Sequence, residues 1–270
     1  LMPSVALDLE SNGFYRYPER ICLLQLAWPG STFLIDPLAI PDTSPIGKLL
    51  ENPLIEKVMH SADYDVRSLD REWGFRIRNL FDTSIAAAFV GSERLGLAAV
   101  LSEHIGVLVS KHKELQRSDW TKRPLSFEAQ RYAMGDVLYL DSARNKLVER
   151  LKNLCRLSWV EEECDRQTKV RFQPRDLDWA FASIKGSRTL DARGLGVLKS
   201  LFWFREKEAI RRDIPPFKVI PDSILVSLAG SPFSDPADIK SLGRYRNPPG
   251  SIGLRTAIKN GLDVGPIKRP

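Results

Sequence analysis

The sequence contains few residues of the kinds that build disulfide frameworks or zinc sites. Its 270 residues include three cysteines and three histidines, and neither set has the spacing of paired thiols or of zinc ligands. We therefore expect reduced thiols at Cys22, Cys155 and Cys164, and ordinary core or surface roles for the histidines. No apolar run approaches the length of a membrane span, and no signal peptide is recognisable. These absences predict a cytoplasmic protein without a membrane partner.

Charge is distributed unevenly along the chain. The formal net charge is +6, and 43% hydrophobic and 27% charged residues are values typical of a globular protein. Residues 171–270 carry 18 Lys and Arg against 10 Asp and Glu, whereas the remainder carries 22 against 24. This basic C-terminal part favours a polyanion-binding module, and the alternative is a basic surface without a specific partner.

The stretch Val5-Ala-Leu-Asp-Leu-Glu10 has the pattern of a short buried strand that carries two acids. Successive strand side chains alternate between faces, so Asp8 and Glu10 point the same way. Two neighbouring carboxylates repel each other and lose hydration on burial unless a cation lies between them. The pair alone is a weak signal, because the same spacing recurs in polar, helix-like segments such as Asp63-x-Asp65. Asp8 and Glu10 interrupt an apolar run, however, and this favours a Mg²⁺ or Mn²⁺ site.

Strand patterns precede helix patterns in the first part of the chain. The predicted strands are Val5–Glu10, Arg20–Trp28, Thr32–Asp36 and Ile55–His60. The predicted helices are Ser44–Glu51, Tyr64–Trp73, Ile85–Phe89, Leu97–Ile105 and a long one over 126–151. Residues 110–125 are expected to form an irregular loop. This order predicts an α/β fold class, with a mixed sheet flanked by helices.

The strand patterns nearly vanish in the last hundred residues. Apolar residues recur at helical spacing from Leu195 to Ala209, and Pro215-Pro216 ends that helix. We expect a first domain at 1–165, a linker at 166–178, a small all-α domain at 179–262 and a tail at 263–270. Because the first strand begins only a few residues after Leu1, we also expect that the N-terminus was trimmed.

Three further residues lie at positions in predicted helices where functional side chains often occur. Asp65 opens a helix directly after the fourth strand. Asp136 lies among apolar residues in the middle of a helix, and Tyr132, four residues earlier, shares its face. Each has an ordinary alternative. Asp65 could interact only with the helix dipole, Asp136 could pair with Arg131 or Arg144, and Tyr132 could be core.

Taken in order, these residues resemble the three motifs of the DEDDy class of 3′→5′ exonucleases, and in particular the ribonuclease D family. The motif residues are Asp8-x-Glu10, Asp65, and Tyr132-x-x-x-Asp136. Segments between them resemble the family as well, namely Leu24–Ala27, Leu34–Leu38, His60-Ser-Ala, Phe81-Asp82-Thr83 and Ser118-Asp-Trp120 with Arg123-Pro-Leu125. The helical tail resembles an HRDC (helicase and RNase D C-terminal) domain. The resemblance covers nearly the whole chain and implies an RNase H-like sheet in the first domain.

The resemblance also implies roles for the motif residues. Asp8, Glu10, Asp65 and Asp136 would hold two divalent cations, Mg²⁺ or Mn²⁺. Tyr132 would orient the attacking water, since a phenol with an ordinary pKa near 10 is a poor base at neutral pH. The implied activity removes nucleoside 5′-monophosphates from RNA 3′ ends, with tRNA precursors as expected substrates.

Contacts to the nucleic acid are predicted from charge and aromatic content. The proposed base-stacking residues are Trp120 or Phe14. The proposed phosphate-binding residues are the Lys and Arg of the 110–123 loop, among them Lys111, Lys113 and Arg117, together with Arg205, Arg211, Arg212 and Lys218. Trp120 has the alternative role of anchoring its loop. Two other functions stay open from the sequence. One is a 3′→5′ exonuclease acting on single-stranded DNA, and the other is a non-catalytic nucleic-acid-binding protein, although no member of the carboxylate set is missing.

Overall fold

The computed structural model describes residues 4–109 and 113–269. These residues form two compact units. Unit 1 takes in the chain up to Asn12 and then Glu19–Phe172, and unit 2 takes in Gly13–Pro18 and the chain from Gln173 onwards. The sequence placed the end of the first domain at residue 165, whereas unit 1 continues to Phe172. No sequence pattern assigned the short segment Gly13–Pro18 to the second unit.

Unit 1 contains a five-stranded mixed sheet with the acidic strand at its centre. Its strands are β1 (Ser4–Ser11), β2 (Ile21–Trp28), β3 (Ser31–Ile35), β4 (Glu56–Met59) and β5 (Leu80–Asp82). The spatial order is β3-β2-β1-β4-β5, with β1 antiparallel to β2 and parallel to β4. The mixed sheet predicted from the sequence is thus confirmed. β5 was not predicted, because three residues are too short for a periodic pattern.

Alternation along β1 separates an apolar face from an acidic one. Val5, Leu7 and Leu9 belong to one buried cluster, and Ala6 belongs to another, which contains residues from the helices on the opposite face of the sheet. Asp8 and Glu10 share the parity of Ala6, so they point toward those helices.

Eight helices of unit 1 accompany the sheet in the described part of the chain. They are α1 (Ser44–Glu51), α2 (Asp63–Trp73), α3 (Thr83–Phe89), α4 (Leu97–Ile105), α5 (Lys113–Gln116), α6 (Phe127–Leu138), α7 (Leu140–Asn153) and α8 (Leu157–Thr168). The single helix predicted over 126–151 is therefore wrong. The chain turns at Tyr139, whose φ of −108° and ψ of 0° are not helical. The predicted loop over 110–125 contains the single turn α5.

Unit 2 is entirely helical among its described residues. Its helices are α9 (Ala192–Arg212), α10 (Pro216–Val219), α11 (Asp222–Gly230) and α12 (Gly250–Val264), with short 3₁₀ helices before α9 and between α11 and α12. A Cβ built on Gly261 would lie 2.4 Å from the Cα of Val197, so α9 and α12 pack backbone against backbone. No helix within the described ranges has both the length and the apolar composition needed to cross a membrane.

Candidate active site

The central strand and α6 bring three carboxylates together. Oxygen atoms of Asp8, Glu10 and Asp136 all lie within 4.8 Å of one another. Glu10 is 8% exposed, and Asp8 and Asp136 are half-buried. Sequence positions more than 120 residues apart therefore meet at one point, because β1 is the middle strand and α6 packs against it.

The position of α6 also places Tyr132 next to the acids. Ser126 caps this helix, and its hydroxyl accepts a hydrogen bond of 3.1 Å from the amide of Ala129. One turn separates Tyr132 from Asp136, and the charge of that carboxylate helps to raise the pKa of the tyrosine. The pairing of Asp136 with Arg144 considered from the sequence does not occur, since Arg144 binds Glu56 at 2.6 Å.

Asp65 reaches the same site from α2. It lies in the first turn of that helix, directly after β4, and is 6% exposed. Burial raises its pKa well above the ordinary value, and the charge of Asp8 adds to the rise. The carboxylate of Asp65 therefore lies within electrostatic range of Asp8. The structure thus places Asp8, Glu10 and Asp136 together, and Asp65 and Tyr132 lie within electrostatic range of this cluster.

The electrostatics of the cluster favour binding of a cation. Burial, followed by the charge of Asp136, raises the pKa of Asp8 to about 8. Burial and the three neighbouring acids raise the pKa of Glu10 to about 10, and burial raises that of Asp136 to about 6. These buried oxygen ligands repel one another when charged. Such a donor set fits a hard divalent cation such as Mg²⁺ or Mn²⁺, which would relieve the repulsion.

A cleft of about 790 Å³ opens beside the acids. Tyr132 and Asp136 line one side of it. The rest of the wall includes the exposed side chains of Phe127 and Leu138 and the cation Arg131. A concave, mostly apolar space with a few polar groups is the usual form of a small-ligand site, and this one is large enough for a nucleotide.

Two of the predicted nucleic-acid contacts are wrong. Trp120 is 0% exposed and packs against Tyr132 with ring centroids 6.2 Å apart, so no base can stack on it. Its alternative role, anchoring the loop, agrees with the structure. Arg205 is 3% exposed and donates to the carboxylate of Asp222 at 2.6 Å and to the carbonyl of Ile220. A guanidinium enclosed in this way does not reach a phosphate.

The other predicted contacts stay predictions. Lys113 and Arg117 are exposed in unit 1. In unit 2, Arg211 pairs with Glu208, Arg212 donates to the hydroxyl of Tyr245 at 3.1 Å, and the Lys218 ammonium lies 4.2 Å from the ring centre of Tyr15. Lys111 lies outside the described residues.

A buried acid near the site was not predicted as a site residue. Asp82 ends β5, is 0% exposed, and accepts backbone hydrogen bonds both from α3 and from the turn between β4 and α2. The sequence contained one signal, since an acid directly before a helix is a common cap. The contact with the turn before α2 joins residues about twenty positions apart, and only the fold could reveal it.

Comparison with known proteins agrees with this geometry. Residues 1–152 match the sequence model of the 3′-5′ exonuclease family, and residues 194–247 match that of the HRDC domain. Ribonuclease D of Shewanella sp. (strain ANA-3) is 36% identical over 229 residues, which are 84% of this chain and 58% of that protein. The chain therefore spans less than two thirds of the length of this relative.

Two solved structures are similar as well. Escherichia coli RNase D, described as an exoribonuclease involved in structured RNA processing, has a TM-score of 0.76 at 29% identity, covering 96% of this chain and 70% of that chain. Brucella melitensis NrnC with bound Mg²⁺ has a TM-score of 0.56 at 27% identity, covering 62% of this chain and 82% of that chain.

A mixed sheet with a central acidic strand, completed by acids from two helices, defines a nuclease fold with a carboxylate centre. The chain belongs to the 3′-5′ exonuclease family. Within that family the chain is similar to ribonuclease D, and an HRDC domain follows its exonuclease domain. The resemblance found in the sequence motifs is thereby confirmed, as is the predicted fold class.

Proposed function

We propose that this protein is a metal-dependent 3′→5′ exoribonuclease that releases nucleoside 5′-monophosphates one at a time. The observation that carries the proposal is the meeting of Asp8, Glu10 and Asp136 within 4.8 Å. With Asp65 beside them, these carboxylates would hold two divalent cations, Mg²⁺ or Mn²⁺. When bound, such ions supply an activated water and stabilise the leaving 3′ oxygen.

Tyr132 would orient the attacking water by hydrogen bonding. Burial, followed by the charge of Asp136, raises the pKa of this tyrosine above its ordinary value. The hydroxyl therefore keeps its proton at neutral pH, and it acts as a donor of fixed direction instead of a base. Packing against the buried ring of Trp120, with ring centroids 6.2 Å apart, holds the phenol in place.

The cleft beside Tyr132 and Asp136 would receive the 3′-terminal nucleotide. Its apolar wall, which includes Phe127 and Leu138, suits a nucleobase, and the exposed cation Arg131 suits a phosphate. We further propose structured RNA, including tRNA precursors, as the source of these ends, in keeping with the description of the Escherichia coli relative. A cytoplasmic location stays a prediction from the sequence.

A time course on 5′-labelled single-stranded RNA and on DNA of the same sequence tests the proposal. Each reaction contains Mg²⁺, Mn²⁺ or EDTA, and Asp8→Asn is compared with Glu162→Gln, a charge-matched change at an exposed position on α8. We expect a ladder that shortens from the 3′ end, requires metal, yields 5′-monophosphates and disappears only in Asp8→Asn. A tRNA precursor with an extended 3′ end tests the finer substrate.

The same assay decides between the alternatives. Faster hydrolysis of DNA than of RNA would make the protein a DNA exonuclease. Binding of either strand without a ladder in any metal would refute the catalytic proposal and leave a nucleic-acid-binding protein.

A further inference from the structure

One carboxylate lies beneath the turn that carries Asp65 into the site. This turn comprises His60, Ser61 and Ala62, which join β4 to α2. Asp82 accepts a hydrogen bond from the amide of Ser61 at 2.9 Å through Oδ1, and one from the amide of Ala62 at 2.8 Å through Oδ2. Both oxygens of a fully buried side chain thus hold the backbone three and four residues before Asp65.

The turn needs an external support. Ser61 has a φ of +57°, in the left-handed region that residues with a Cβ rarely adopt. Ala62 is the N-cap residue of α2 but has no side-chain oxygen, so it cannot satisfy the first amides of the helix. Asp82, at the end of the neighbouring strand β5, accepts hydrogen bonds from the amides of Ser61 and Ala62 and so holds the turn from which the helix begins.

The same carboxylate caps α3. Its Oδ1 accepts from the amides of Ser84 at 2.8 Å and Ile85 at 3.4 Å. The next residue, Thr83, donates its hydroxyl to the carbonyl of Met59, the last residue of β4. The start of α3 and the start of α2 are therefore fixed to one another through a few atoms.

A helix cap alone does not require this arrangement. Serine caps a helix as well as aspartate does, and it brings no buried charge. The α3 amides bond to Oδ1, whereas Oδ2 accepts its hydrogen bond from the amide of Ala62, the N-cap residue of α2. The geometry therefore assigns a task to the carboxylate beyond folding of α3.

We propose that Asp82 is a positioning residue for Asp65, which it holds at the metal centre through the amides of Ser61 and Ala62. The proposal rests on the proposed function, because it requires that Asp65 ligates a cation. Groups that orient metal ligands typically change metal affinity by about 10- to 100-fold when they are substituted.

Asp82→Ser separates the two tasks of the carboxylate. The serine hydroxyl can still accept from Ser84 and so cap α3, but it is too short to reach the turn before α2. The matched control is Glu72→Gln. Glu72 is another acid with little exposure, it lies at the far end of α2, and it accepts a hydrogen bond of 2.6 Å from the amide of Ile21.

The readout is Mn²⁺ binding, followed by electron paramagnetic resonance of the free ion and independent of activity. We expect Asp82→Ser to weaken Mn²⁺ binding by about 10- to 100-fold and Glu72→Gln to leave it unchanged within about twofold. On RNA, we expect the Mn²⁺ concentration for half-maximal rate to rise in Asp82→Ser, while the rate at saturating Mn²⁺ returns close to that of the wild type. A purely structural role would not produce this separation.

The outcomes distinguish the two proposals. Wild-type Mn²⁺ affinity in folded Asp82→Ser would overturn the positioning role and leave the proposed function intact. Absence of Mn²⁺ binding in the wild type would overturn both. If circular dichroism shows that Asp82→Ser does not fold, Asp82→Asn decides in its place. That variant keeps Oδ1 and replaces Oδ2 by an amide group facing the Ala62 N–H, and unchanged binding in it would equally overturn the positioning role.

Discussion

Replacement of Asp136 by asparagine should stabilise the metal-free protein while it damages the metal centre. Burial raises the pKa of Asp136 from 3.8 to about 6 in the folded state. Below about pH 4 the group is protonated in both the folded and the unfolded chain and has no effect on stability. Between pH 4 and pH 6 the unfolded chain loses the proton while the folded chain retains it, so stability falls as pH rises. Above pH 6 both forms are ionised, and the charge of Asp136 lowers the free energy of unfolding by its full amount.

The size of this effect follows from the shift. A rise of roughly two pKa units corresponds to about 3 kcal/mol of unfolding free energy, which is an upper value because the site is partly hydrated. We therefore expect Asp136→Asn to gain about 1–3 kcal/mol at pH 8 without metal, which is roughly 2–10 °C in melting temperature for a chain of this size. The amide keeps an oxygen that can accept from Tyr132 and carries no charge.

Thermal melting at pH 4 and pH 8, with EDTA or with saturating Mn²⁺, tests this reasoning. The control is Glu162→Gln, which removes an exposed charge from the same unit. With Mn²⁺ we expect the order to reverse, because only the wild type retains the full ligand set and gains stability from binding. A lower melting temperature of Asp136→Asn at pH 8 in EDTA, or an equal gain at both pH values, would refute the reasoning.

Three other substitutions test separate parts of the structure. Tyr132→Phe removes a donor of fixed direction, so single-turnover hydrolysis of RNA should slow by about 100-fold or more while Mn²⁺ binding measured by paramagnetic resonance stays unchanged. Gly261→Ala places a methyl group against the backbone of Val197, and urea unfolding should show that the free energy of unfolding falls by at least about 1–3 kcal/mol. Wild-type stability would contradict the close packing of α9 and α12. Arg123→Lys removes the two-point pairing with Asp36, and the same measurement should show that the free energy of unfolding falls by about 1 kcal/mol. An unchanged free energy of unfolding would mean that hydrogen bonds to water replace the pair fully.

Local patterns in the sequence were enough to predict several features of this protein. Alternation along β1 placed Asp8 and Glu10 on one face, and helical spacing placed Tyr132 beside Asp136. The order of strands and helices predicted the α/β class, and the motif series predicted the family. These features follow from periods of two and 3.6 residues, which can be read without knowledge of contacts.

Features that depend on burial, or on contacts between residues far apart in the sequence, could be seen only in the folded structure. Composition predicted that Trp120 and Arg205 would face the nucleic acid, but packing encloses both, because an aromatic ring and a paired guanidinium can also satisfy a core. The sequence likewise did not predict the helix break at Tyr139 or the hydrogen bonds from the turn before α2 to Asp82. A hydrogen bond between residues twenty positions apart leaves no periodic trace, and it exists only because β4 and β5 lie side by side in the sheet.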